Sequence, residues 1–460
     1  MATKSTELYR DPRIEKAKQL LKEAMLDHSS KLTEVKPANP ELKDEYQQLL
    51  KSFGENRGGA LFYNYLGSGI GNGPLVELAD GSVKYDFITG IGVHYFGHNH
   101  TGLMSALVDS ALANTTMHGH LQQNVDSAKL VDLIVSQAVK NGAKLKHCLL
   151  ASSGAMACEN ALKMAFQKRY PAHRVLAFER CFMGRTLALA QITDKAAYRE
   201  GLPQTLAVDY IPFYNPEDHA GSIKNTVAVL KSHIKHRPKE YAAMCMELIQ
   251  GEAGSFPGHT EFFKAIIDVC KENNITVMVD EVQTFMRTEE LYAFQYFKLD
   301  KEVDIVTIGK NSQVCATLFG EDHKPRPGLI SQTFTSSTAA ISAGYYIINE
   351  VLEKEYLGKN GKINHFHQYF KAKLEQLTKK YPDKIKGPYG IGAMVGMTLF
   401  NGDADKSKAF TMKLFDNGVM SFIAGSAPTR VRFLMPIGAI KEKHIDDVCV
   451  ILEKTLNEMN

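Results

Sequence analysis

The chain lacks several things, and each absence removes a class of protein. No stretch approaches the roughly 18 apolar residues that a membrane-crossing helix needs. The opening MATKSTELYRDPRIEKAKQLLKEAM reads as a charged helix without the apolar segment of a secretion signal. The seven cysteines (Cys148, Cys158, Cys181, Cys245, Cys270, Cys315, Cys449) are scattered, odd in number and never spaced as CxxC. That argues against a disulfide framework or a zinc site and for reduced thiols in the cytoplasm. The net charge of +3 is spread along the chain, too weak for the electrostatic footprint of a nucleic-acid or membrane-surface binder. No internal repeat or low-complexity tract appears.

What is present fits a globular protein with a sizeable core: 44% hydrophobic and 23% charged residues over 460 positions. That length allows two or three domains, or one large α/β domain with a satellite. The first sixty residues are polar helices punctuated by VKPANPELK, so residues 1–75 read as an N-terminal arm. In GPLVELADGSVKYDF, alternating apolar runs flank Asp80-Gly81, a strong hairpin turn. From about residue 100 to 310, the short apolar strands HCLLAS, RVLAFE, LAVDYIPF, AAMCMELI, ITVMVDEV and DIVTIG alternate with helices such as AKLVDLIVSQAV, ENALKMAFQKRY and TEFFKAIIDVCKEN. Strands apolar on both faces and separated by helices argue for a mostly parallel sheet covered by helices. The expected divisions are a large α/β domain over 76–345 and, after the long helix TAAISAGYYIINEVLEKEYL begins, a small α+β domain over 346–460.

An open parallel sheet binds ligands outside the carboxyl ends of its strands. HCLLAS runs into SGAMACENALKMAF, where Ser153, Gly154 and Ala155 open a helix whose N–H groups can cradle a phosphate, although small residues open many helices. In ERCFMGRT, Phe182 follows RVLAFE; it is either a core aromatic beside a turn or a ring stacked on a planar ligand. DIVTIGK ends in Lys310, a plain exposed cap unless desolvated, when it becomes a nucleophile toward carbonyls. ITVMVDEVQ arrives at two acids, and a buried unpaired carboxylate needs a cation. Strand alternation puts Asp280 and Val282 on one face and Glu281 and Gln283 on the other, so only one of the two acids can meet a ligand and the other is left a structural role. Cradle, ring, acid and lysine together make the inventory for pyridoxal phosphate.

Two other patterns point elsewhere and are set aside. GSGIGNG (67–73) does not fit GxGxxG and leads into a hairpin, so no dinucleotide site is expected. The histidines at 94, 98, 100, 118 and 120 show no HxxxH helix or carboxylate partner of a metal site, and no metal is expected.

DEVQT at 280–284, GEAG at 251–254, YDFITGIGVHYFGHNH at 85–100 and VRFLMP at 431–436 occur in the order and spacing of one family. From about residue 60 to its end, the chain resembles the class III, or ω-amino acid, aminotransferases, pyridoxal-phosphate enzymes of fold type I. That fold has a large domain around a mostly parallel seven-stranded sheet and a small C-terminal domain. The resemblance implies that Lys310 bonds the cofactor aldehyde and later moves protons at the substrate, while Asp280 pairs with the protonated ring nitrogen. Val282 would pack beneath the ring, Phe182 would cover its other face, and Gln283 would reach O3′, which requires the strand to end and twist there. Gly154 and Ala155 would hold the phosphate. Thr333, in SQTFTSST, would reach the phosphate of a neighbouring subunit, implying a homodimer with shared sites. Arg432 would bind a substrate carboxylate bidentately. Glu252 would mask that arginine when an ω-amine enters, and Arg185 is a second carboxylate candidate.

Departures from the family pattern concern the pocket: Met156 replaces an acid, Met183 a histidine, and QTFMRTEE and TFTSSTAA lose glycines. GKNSQVCATLF is most similar to the lysine ε-aminotransferase branch. The resemblance therefore implies transfer of an ω-amino group, first of all the 6-amino group of L-lysine, to 2-oxoglutarate, giving a semialdehyde and glutamate. Ornithine, 4-aminobutyrate and acetylornithine follow as donors. A racemase or epimerase on the same scaffold, and a non-enzymatic descendant, are the rival readings.

Overall fold

A computed structural model describes residues 3–459, which form two compact units. The first gathers the chain up to Ala113, Phe366–Pro388 and the chain from Val395 onward. The second gathers Asn114–His365 and Tyr389–Met394.

The second unit is built on a seven-stranded sheet in the order His147–Ala151, Cys315–Phe319, Ile305–Ile308, Thr276–Glu281, Tyr241–Met246, Arg174–Phe178, Ala207–Ile211. Only Cys315–Phe319 runs antiparallel to its neighbours. The three central strands, Ile305–Ile308, Thr276–Glu281 and Tyr241–Met246, are buried along their whole length, which explains their largely apolar sequence. All six strands expected from the sequence are present. The seventh, Cys315–Phe319, lies in GKNSQVCATLF and was not anticipated, nor was the helix His219–His236.

Side chains cap the covering helices at their starts. Asn124, Ser153, Asp218, His259 and Ser337 each accept a backbone N–H of the first turn. Thr260–Glu272 buries Phe262, Phe263, Ile266, Ile267 and Cys270 along one face, the helical spacing of an amphipathic stripe.

In the first unit, Gly67–Asn72, Leu75–Leu78 and Val83–Asp86 form an antiparallel meander. Its second turn is the expected one at Asp80-Gly81, with Gly81 at φ 77° and the Asp80 carboxylate accepting the Ser82 N–H at 2.9 Å. Val83–Asp86 then pairs in parallel with Val419–Met420 from the far end of the sequence. This pairing explains why residues 76–113, expected within the large domain, cluster with the C-terminal part of the chain. The long helix Thr338–Glu353 packs on Val125–Val139, so the second unit continues to His365 rather than stopping near 345. Among the described residues, no helix is long and apolar enough to cross a membrane, and all seven cysteines are free.

Candidate active site

The parallel strands of the second unit end on one edge of the sheet, and the chemistry-bearing residues gather there. The Thr276–Glu281 strand delivers Asp280 to the interior, 8% exposed. Its Oδ1 accepts the Val282 N–H at 2.8 Å and the Thr307 hydroxyl at 3.0 Å, and its Oδ2 accepts the Cys158 thiol at 3.5 Å. Burial nevertheless raises the Asp280 pKa, although these donors and the Lys310 charge pull it down. Asp280 is thus fixed in place and still lacks full compensation for its charge.

The neighbouring acid has a different task. Glu281 is completely buried and accepts the N–H groups of Ala293 and Phe294, each at 2.7 Å, at the start of the turn Ala293–Tyr296. Burial pushes its carboxyl up to about 8 despite those bonds. The structural role expected for Glu281 is what the structure shows.

Val282 joins three loops. A Cβ on Gly154 would lie 2.9 Å from Val282 Cγ1, and one on Gly309 would lie 3.2 Å from the same atom. The helix start after the first strand and the residue preceding Lys310 therefore meet on one valine. At that helix start the Ser153 hydroxyl takes the Met156 N–H at 3.1 Å. The N–H groups of Gly154 and Ala155, which have no intrahelical acceptor, remain at the positive end of a sixteen-residue helix. Lys310 follows Ile305–Ile308 with φ at 55°, a left-handed conformation rare for a side-chain-bearing residue and typical of functional sites. Its charge is felt by Asp280, Glu247 and Cys315.

The Thr276–Glu281 strand ends before Gln283, as a cofactor contact by Gln283 requires, and the Gln283 carboxamide packs on Gly251. Phe182 is half-buried, with its N–H bonded to Glu247. Glu252 lies half-buried in the turn Gly251–Gly254. Arg185 is exposed, its guanidinium 4.0 Å over the Tyr198 ring, so the side chain is turned onto the surface loop and not onto the strand ends. Thr333 is exposed, its carbonyl against Gly119. In the first unit, Arg432 is 1% exposed on the strand Arg430–Leu434, with its guanidinium 5.8 Å over the Phe422 ring.

Sequence reasoning missed several residues of this site. Glu247 directly follows the Tyr241–Met246 strand, and Thr307 and Cys158 hold Asp280. Arg287, fully buried, bonds the Gln283 carbonyl at 2.8 Å and the Asn311 side chain at 3.0 Å, tying the loop after Asp280 to the one beginning at Lys310. Only the fold brings these partners together. Of the histidines at 94, 98, 100, 118 and 120, His98 does have a carboxylate partner, Asp86 at 3.0 Å, while His100 caps Thr101–Ala111, His118 bonds Thr338 at 2.9 Å and His120 Nδ1 accepts the Gln332 N–H at 3.2 Å. His219, His259 and Glu261 also cluster, but both His219 nitrogens are bonded, to Tyr214 and Glu261, and His259 Nδ1 caps a helix.

These residues fit pyridoxal phosphate. The glycine at 154 leaves room where a Cβ would press on Val282, the buried Asp280 carboxylate suits a cationic ring nitrogen, and Lys310 shares their field.

The comparisons with known proteins define the class. Residues 69–456 match the family "Aminotransferase class-III", and the chain belongs to that family of pyridoxal-phosphate-dependent transferases of fold type I. The acetylornithine aminotransferase of Methanocaldococcus jannaschii is 30% identical over 413 residues, 85% of this chain and 93% of that protein. Lysine aminotransferase from M. tuberculosis superimposes with a TM-score of 0.75 at 23% identity, covering 85% of this chain and 94% of that one. The ornithine aminotransferase of Toxoplasma gondii ME49 gives 0.72 at 22% identity, covering 84% and 89%. The two structural likenesses establish the shared fold.

Proposed function

We propose that this aminotransferase takes the ω-amino group of a diamino or ω-amino acid and delivers it to 2-oxoglutarate, with Lys310 and Asp280 as its central pair. The observation that carries the site reading is the meeting of Gly154, Val282 and Gly309 beside the buried Asp280. When bound there, pyridoxal phosphate supplies the electron sink that stabilises charge developing at the amine-bearing carbon. Lys310 is the group that takes and returns the proton at that carbon. Asp280, held by Thr307, Cys158 and the Val282 N–H, keeps a positive charge on the ring nitrogen. Gly154 and Ala155 hold the phosphate by backbone N–H groups, Val282 and Phe182 take the two ring faces, and Gln283 takes O3′. The substrate carboxylate is assigned to Arg432 and the switching role to Glu252, each on the family resemblance. Arg185, with its side chain on Tyr198, is the weaker second anchor.

For the donor, L-lysine leads on the GKNSQVCA stretch at 309–316. N-acetylornithine is the rival, because the relative at 30% identity carries that name. Incubating the loaded enzyme with lysine, ornithine, 4-aminobutyrate or acetylornithine and 2-oxoglutarate decides between them by the rate of glutamate formation. If none yields glutamate while an α-amine donor does, the ω-specific reading fails.

A cytoplasmic homodimer is part of the proposal. Thr333 lies three residues before Ser336–Ser337, which pairs with Met117–His118, and this stretch and its partner carry the exposed apolar side chains Leu121 (95% exposed), Phe334 and Met117. Such a patch suits a second copy of the chain.

A further inference from the structure

We propose that Glu247 is a positioning residue whose buried carboxylate ties the loop carrying Phe182 to the turn carrying Glu252, so that both move as one body against the cofactor. The inference rests on the reading that pyridoxal phosphate lies at these strand ends.

The register places Glu247 there. Met246 pairs in parallel with Val279, so the next residues on the adjacent strands are Glu247 and Asp280. Glu247 is 6% exposed and both oxygens are committed: Oε2 accepts the Phe182 N–H at 2.7 Å and Oε1 the Gly251 N–H at 3.2 Å. The second bond extends further. A Cβ on Gly251 would lie 1.7 Å from the Gln283 Oε1, so Gly251 is the surface on which the Gln283 carboxamide rests. One carboxylate therefore sets the backbone of the ring-bearing residue, the start of the Gly251–Gly254 turn and, through Gly251, the seat of Gln283.

The plain alternative is a core acid that merely satisfies two stray N–H groups. Such a role does not need an acid at this place. Glu247 is buried beside another carboxylate, and burial with Asp280 nearby pushes its carboxyl up to about 8. Retaining an acid here is unfavourable. Its two oxygens each accept from a different loop, Oε2 from the Phe182 N–H and Oε1 from the Gly251 N–H, whereas a glutamine would turn its NH2 donor toward one of them. The acid suits a brace and is a poor filler.

The test uses the full-length protein, stripped and reloaded with pyridoxal phosphate, as wild type, Glu247→Gln, Phe182→Ala and the double variant. Cofactor Kd from absorbance titration, visible circular dichroism of the loaded protein and Tm of the cofactor-free protein are measured. Glu247→Gln sets an amide donor against one of the two N–H groups. We expect cofactor binding about tenfold weaker, a reduced dichroic band, and non-additive effects with Phe182→Ala. Unchanged Kd and dichroism with only a lower Tm, or effects of the two changes that simply multiply, would overturn the proposal. If Glu247→Gln does not fold, Gly251→Ala displaces Gln283 from the other end of the brace and is held to the same two outcomes. Failure of the underlying site reading looks different: the wild-type visible band would survive Lys310→Ala.

Discussion

At the residue scale the two adjacent acids separate cleanly. Asp280 is braced by three donors and still destabilised by burial, so it awaits a cation. Asp280→Asn keeps the shape and removes the charge. Leaving a buried cation without its partner costs about 3–5 kcal/mol, so kcat/KM should fall more than about 100-fold with any amino donor; steady-state kinetics check it. Gly154→Ala pushes a methyl toward Val282 at the phosphate end. We expect roughly tenfold weaker cofactor binding by equilibrium dialysis, with activity recovered at high cofactor concentration. Strand alternation separated the two acids of ITVMVDEVQ, and the motifs shared with the family singled out Asp280 and Lys310. Glu247 was not legible, because AAMCMELI reads as one strand running through it; only the register that sets Met246 against Val279 brings the acid next to Asp280.

At the element scale, Glu281 shows how the strand end is held. Its carboxylate receives the Ala293 and Phe294 N–H groups, so Glu281→Gln turns a donor toward one of them. The expected loss is about 1–3 kcal/mol of stability by denaturant unfolding, with cofactor affinity unchanged. The six strands foreseen were legible because two-face burial leaves an apolar run with few interruptions. Cys315–Phe319 escaped because it follows the lysine loop directly and turns back antiparallel, outside the strand–helix alternation that marked the others. Val83–Asp86 read as a hairpin strand, but its pairing with Val419–Met420 joins residues more than three hundred positions apart, which no local pattern signals.

At the scale of the whole molecule, pH should act through the buried acids. Glu247 and Glu281 have folded-state values raised from 4.5 to about 8, so each adds stability while protonated and loses it as pH rises through that window. Asp86 and Asp209 are lowered, and their contribution is lost only as pH falls toward theirs. The Tm of the cofactor-free protein should therefore be lower at pH 8.5 than at pH 6, and a scanning melt across that range checks it. The central claim, a pyridoxal-phosphate enzyme that takes ω-amines through Lys310 and Asp280, meets its most direct test in a half-reaction. Loaded enzyme is mixed with L-lysine or N-acetylornithine alone, its visible absorbance is followed, and 2-oxoglutarate is then added. The account predicts that the band bleaches with the donor and returns with the keto acid, with one glutamate released per site and neither change in Lys310→Ala. A band that ω-amino donors leave untouched while an α-amino donor bleaches it would contradict the account.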